Sequence, residues 1–177
     1  LKGRPIEVSH FDINCKPCYT KNNYSLYRVQ YNSNDCIIEN SFYDTNGSPC
    51  LETVYGAHLI KTKHNENNYV VEQAFYDTDN NAIISPFYGF HRQVNEFDDY
   101  HRLVAIKYLD CNSQSSINTQ DYTSMSVYSY DHRGNMIKIE HFDSENNPSV
   151  CKNGYAGVVY GCPVIHTERP MRGSYSG

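Results

Sequence analysis

Tyr130-Asp131-His132-Arg133-Gly134-Asn135-Met136-Ile137-Lys138-Ile139-Glu140-His141-Phe142-Asp143 contains both elements from which this chain is built, a turn and a strand. Its first six residues are a hairpin turn: Gly and Asn accept positive φ, and Asp can bond its own following backbone. The next seven alternate, with Ile137, Ile139 and His141 on one side and Met136, Lys138, Glu140 and Phe142 on the other. That is the period of a β-strand.

Asp143 is one of four aspartates spaced 33 residues apart, with Asp110, Asp77 and Asp44. Each closes an aromatic or aliphatic run: Phe42-Tyr43, Phe75-Tyr76, Tyr108-Leu109 and His141-Phe142. His10-Phe11-Asp12 begins the series one residue out of phase, as a single deletion would leave it. The 130–135 turn has counterparts starting at Tyr31, His64 and Phe97, and Pro49 and Pro148 share a position, as do Tyr55-Gly56 and Tyr88-Gly89. Several features in one phase establish a tandem repeat.

Each unit holds two strand-like runs. One covers Ile37 to Tyr43, Val70 to Tyr76, Leu103 to Leu109 and Met136 to Phe142; the other covers His58 to Lys63, Phe90 to Phe97, Met125 to Tyr130 and Ala156 to Tyr160. The turn at 131–135 reads as a short hairpin, whereas Asp44 to Pro49 and Asp143 to Pro148 read as the start of a longer loop. No segment carries a 3.6-residue apolar stripe, so helix is not expected.

Strands joined by tight turns pair antiparallel. The expectation is all-β: about ten strands in a meander of roughly five hairpin repeats, forming an elongated twisted sheet. A closed barrel or propeller is the alternative. The domain reading is a lead-in at 1–9, the array at 10–162, and a cap edge with a tail at 163–177.

Composition fits a thin aromatic core. Hydrophobic residues make up 39% of the 177, yet 17 are Tyr and 7 are Phe. Tyrosine can bury its ring while its hydroxyl stays wet. With a net charge of -5 and no basic cluster, nucleic acid is not an expected partner. No apolar run is long enough for membrane insertion. The chain opens on Leu1 without a signal-peptide pattern, which reads as a fragment or processed product. Seven cysteines, an odd count, fit free thiols in a reducing setting. A secreted or cell-surface chain with one or two bridges stays open beside a cytoplasmic one.

The residues Tyr130-Asp131-His132-Arg133-Gly134-Asn135, His141-Phe142-Asp143 and Gly154-Tyr155-Ala156 resemble bacterial tandem-repeat proteins. Those carry Tyr-Asp-x-x-Gly-Asn, Phe-Asp-x-x-Gly-x-Pro and Gly-Tyr-Ala elements, and the turn also looks like the Tyr-Asp repeats of Rhs-type shells. The resemblance covers about residues 10–162. It implies bacterial origin and a non-catalytic β-sheet scaffold within a larger surface or effector-type protein, with no catalytic residue to carry over.

Four constellations invite a chemical reading. Cys15-Lys16-Pro17-Cys18 has the spacing of a redox or zinc half-site, but it lies in a repeat loop and lacks a second pair of ligands. His58 and His91 share a repeat position and are a metal or pH-sensing candidate, although later units place Ser124 and Gly157 there. Glu96, Asp98, Asp99 and His101 form an acidic turn whose equivalents lack the carboxylates that calcium would need. Last, Tyr31, Tyr55, Tyr88, Phe97 and Tyr130 recur in phase, either as core or as a row of rings for a repetitive ligand.

The functional expectation is a non-enzymatic scaffold or interaction module with a protein or glycan partner and no cofactor. The alternatives are a carbohydrate- or cell-wall-binding module using those rings, and a metal- or thiol-dependent enzyme centred on Cys15 and Cys18.

Overall fold

The computed structural model describes residues 3–161. Ten strands make one sheet: β1 (Glu7–Ser9), β2 (Leu26–Tyr31), β3 (Ile37–Tyr43), β4 (Leu59–His64), β5 (Val70–Tyr76), β6 (Arg92–Phe97), β7 (Leu103–Leu109), β8 (Met125–Tyr130), β9 (Met136–Phe142) and β10 (Gly157–Val159). Each pairs antiparallel with its chain neighbours, in the order β1 to β10. The sheet stays open, so the barrel and propeller alternatives do not form. Among the described residues there is no helix.

One turn explains most of this. Nine times, an Asp or Asn side-chain oxygen accepts the backbone N–H groups two and four residues on. It does so at Asp12, Asn32, Asp44, Asn65, Asp77, Asp98, Asp110, Asp131 and Asp143. The fourth residue of each turn has positive φ: Cys15, Asp35, Gly47, Asn68, Asn80, His101, Ser113, Gly134 and Asn146. Six of the nine are Gly, Asn or Asp, which tolerate that backbone region best. The sequence-based split into a hairpin turn and the start of a longer loop is therefore corrected, because both edges of the sheet use the same five-residue turn.

The two edges differ in the segment that comes after the turn. After Asn32, Asn65, Asp98 and Asp131 the next strand begins at once, with a bulge on entry, as at Val71, which is skipped where Lys63 faces Glu72 and His64 faces Val70. After Asp44, Asp77, Asp110 and Asp143 a single bridge forms (Tyr43 with Pro49, Tyr76 with Ala82), and the chain then leaves the sheet before the next strand. These excursions start at Thr20, Glu52, Ser85 and Asn118, whose side chains accept following backbone N–H groups. Glu52 is 2% exposed, and its two oxygens take the N–H of Val54 and of Tyr55. That capping is what permits a carboxylate at such depth.

Neighbouring excursions are tied by backbone bonds from Thr53 to Asn22, Thr119 to Tyr88 and Lys152 to Asp121. Together they cover one face of the sheet. The core there consists of Phe42, Ile60, Phe75 and Tyr108 from the strands, with Ala57 and Phe90 from the returning loops. The opposite face is laced with ion pairs, Glu7 with Arg28, Glu72 with Lys63 and Arg92, and Glu140 with Lys138, set around the buried Leu59, Ala74 and Ala105.

Four long strands match the expected bounds: Ile37–Tyr43, Val70–Tyr76, Leu103–Leu109 and Met136–Phe142. Three of their partners start later than expected, at Leu59, Arg92 and Gly157. His58, Phe90, His91 and Ala156 belong to the returning loops. Strand β1 falls inside the segment read as a lead-in. The cap edge and tail expected at 163–177 lie outside the described residues.

Candidate functional site

The five recurrent rings separate into two places. Tyr55 and Tyr88 sit on excursions, parallel to one another at 5.7 Å, and both stack on Phe75. Phe75 is fully buried, and Phe90 continues the stack to Tyr108 at 4.7 Å. Burial pushes the Tyr108 hydroxyl up to about 12 and raises that of Tyr88 as well. These rings hold the loop layer onto the sheet.

Tyr31, Phe97 and Tyr130 instead end β2, β6 and β8 at the hairpin-tip edge. Tyr31 is covered by a side chain from the segment before β1, and Phe97 and Tyr130 each by one from the preceding tip. The Arg4 guanidinium lies 5.7 Å above Tyr31, Tyr69 stacks on Phe97 at 5.2 Å, and Arg102 lies 4.7 Å above Tyr130. The Tyr130 hydroxyl donates to the Leu103 carbonyl and that of Tyr31 to the Pro5 carbonyl. Neighbouring tips also touch through Asn34 and Asn68.

Between the third and fourth tips this packing opens into a groove of about 360 Å³ lined by Tyr100, Arg102, Asp131, His132, Arg133 and Gly134. Tyr100 is 79% exposed, and Arg102 lies 5.0 Å from its ring. Arg102 is held by Asp98, whose carboxyl it keeps below the usual range. A flat exposed ring beside fixed donors and acceptors can stack on one face of a small polar ligand and hydrogen-bond its rim. Tyr100, Tyr69 and Arg102 escaped the repeat-based search because their positions do not recur as one residue type.

The other candidates have structural duties. His58 and His91 are buried, with Nδ1 at 2.6 Å from the Phe42 carbonyl and 2.9 Å from the Phe75 carbonyl. A carbonyl only accepts, so Nδ1 carries the hydrogen and donates. Their rings meet Tyr43 and Tyr76 edge-on. Cys15 occupies the positive-φ corner of the first turn and is exposed, while Cys18 is half-buried; both are unbridged. Among the described residues no three of His, Cys, Asp and Glu gather to hold a metal ion. In the acidic turn, Asp98 is taken by its own backbone and Arg102, and Glu96 by Lys107.

One pairing was missed at the sequence level. Ser126 and His141 face each other across β8 and β9, with Ser126 Oγ 2.9 Å from His141 Nδ1. Ser126 is 6% exposed, so the contact is a cross-strand pair and not an accessible nucleophile. Its signal was register, which only the paired strands reveal.

Compared with known proteins, the chain matches no family and no curated protein.

Proposed function

We propose that this chain is a non-catalytic interaction scaffold, a segment of a larger bacterial repeat protein. The bacterial setting comes from the resemblance of the 130–135 turn and its companion motifs. One observation carries the rest: the polar side chains that recur are spent on the chain's own backbone, nine in turns and His58 and His91 on carbonyls. What varies between units is the hairpin-tip edge, where a partner would be read. Purified protein assayed against ester, phosphoester, glycoside and peptide substrates should give no turnover. Activity that persists through repurification sinks the scaffold reading.

A carbohydrate partner is the second reading, favoured by Tyr100 and the groove beside Arg102 and Asp131. A glycan array should then return binders that Tyr100→Ala loses while the fold stays intact. An array without binders leaves a protein as the partner, and binding indifferent to Tyr100→Ala puts the glycan site elsewhere on the chain.

A further inference from the structure

One exposed position is apolar in every unit. Tyr19, Leu51, Ile84, Ile117 and Val150 fall 33 residues apart after a first interval of 32, and they are 51%, 45%, 48%, 45% and 58% exposed. Each comes two residues after the bridge residue of its unit and stands where the excursion leaves the sheet. The residue just before it is half-buried, and Cys50 and Ile83 at that position pack on the core. Yet the inward position drifts, through Cys18, Cys50, Ile83, Ser116 and Ser149, while the outward one never becomes polar. Folding would favour the reverse. In a chain only 39% hydrophobic, an apolar residue at the same half-exposed position of all five units points to a duty they share. A surface contact is the duty that explains it.

The spacing of the stripe selects what fits. Equivalent strands lie two apart, about 10 Å across the sheet. The register adds a stagger: Leu59 faces Ser41 on one side and Tyr76 on the other, two residues beyond Ala74, the equivalent of Ser41. That moves each unit about 7 Å along the strands, so stripe residues recur at about 12 Å. An α-helix repeats a face every seven residues, about 10.5 Å, and loses step over five positions. A second copy of the chain has the same pitch by identity. Turned antiparallel about a two-fold axis through Ile84, it sets Leu51 against Ile117 and Tyr19 against Val150.

Charge permits this approach. The segments 13–19, 45–51, 78–84, 111–117 and 144–150 carry only Lys16, Asp79 and Glu145 as charged residues. Two chains of net charge -5 can therefore meet here without strong local repulsion. The stripe removes roughly 450 Å² of side chain per copy from water, against about 800 Å² per partner in a standard interface. The uncharged turn residues around it supply the polar rim.

We propose that Tyr19, Leu51, Ile84, Ile117 and Val150 form the apolar centre of an antiparallel homodimer. This contact is separate from partner binding at the hairpin-tip edge, and the two are read on different residues. Sedimentation equilibrium over a range of micromolar concentrations should give a mass rising to twice the 20.4 kDa of one chain. The triple variant Leu51→Lys/Ile84→Lys/Ile117→Lys should stay monomeric with an unchanged β circular dichroism spectrum. A photo-crosslinker at position 51, in the otherwise unaltered chain, should capture the region of Ile117 in a second copy, which keeps the test valid if the triple variant misfolds. A wild-type monomer at every concentration overturns the proposal, as does a dimer that a folded triple variant retains, or crosslinks landing on the charged face. Monomers that sediment with neutral lipid vesicles through these residues overturn it in favour of a membrane.

Discussion

Asp110 accepts the backbone N–H groups of Asn112 and Gln114, both at 2.8 Å, and by doing so shapes the corner at Ser113. Asp110→Ala should lower stability by about 1 kcal/mol, read as a shift of the urea midpoint. Asp110→Asn should be nearly silent, since Asn32 and Asn65 do the same work. His141 supplies a second prediction at this scale. Burial holds its imidazole below the ordinary 6.5, against a smaller opposing pull from Asp121. The folded chain therefore binds that proton less readily than the unfolded chain. The associated stability is complete above pH 6.5 and declines as pH falls through that value towards the lower folded one. A second decline begins below 3.8, where the turn carboxyls of Asp77, Asp98, Asp131 and Asp143, held low by bonds from Asn81, Arg102, Asn135 and Asn147, take up protons. Urea midpoints across pH should show both steps, and His141→Gln should remove only the first. A rise in stability on acidification from pH 7 would contradict the burial of His141.

At the level of the element, excursions and turns both contain positive-φ glycines, but in different surroundings. Gly47, at φ 79°, has open space where a Cβ would go. Gly89, at φ 80°, would place one 2.6 Å from the Ile117 carbonyl oxygen and 2.6 Å from Thr119 Cγ2. Gly47→Ala should thus cost only the backbone term, about 1 kcal/mol. Gly89→Ala adds a clash between two stacked loops and should cost about 2–4 kcal/mol. Paired thermal melts test the difference, and equal losses would mean that the loop layer does not pack as described. The strand bounds divide along the same line between turn and excursion. Four of them were legible because alternation runs into an Asp whose turn stops the ladder. Those of β4, β6 and β10 were not, because His58, Phe90 and Ala156 look extended whether they pair or pack.

For the whole molecule, stability is shared between neighbours. The core cluster runs from Phe42 to Tyr108, whereas β1 and β10 contribute three residues each and pair on one side only. An array in which each unit leans on the next loses protection from its ends inward. Amide hydrogen exchange should be slowest in β3 to β7 and fastest in β1 and β10. Equal protection across all ten strands would instead mean that the array opens as one cooperative block.

The repeat period, the turn sites and the strand character were set by the sequence alone, because each depends on chemistry within a few residues: an Asx oxygen, a residue tolerant of positive φ, and alternation between them. Tertiary structure decided the rest. Whether the sheet closes depends on the two-residue stagger between units, which no single unit contains. Which rings are core and which face solvent depends on a partner about 33 residues away. Tyr88 is roofed by Tyr55, Phe75 and Phe90, a stack that the sequence around Tyr88 does not reveal.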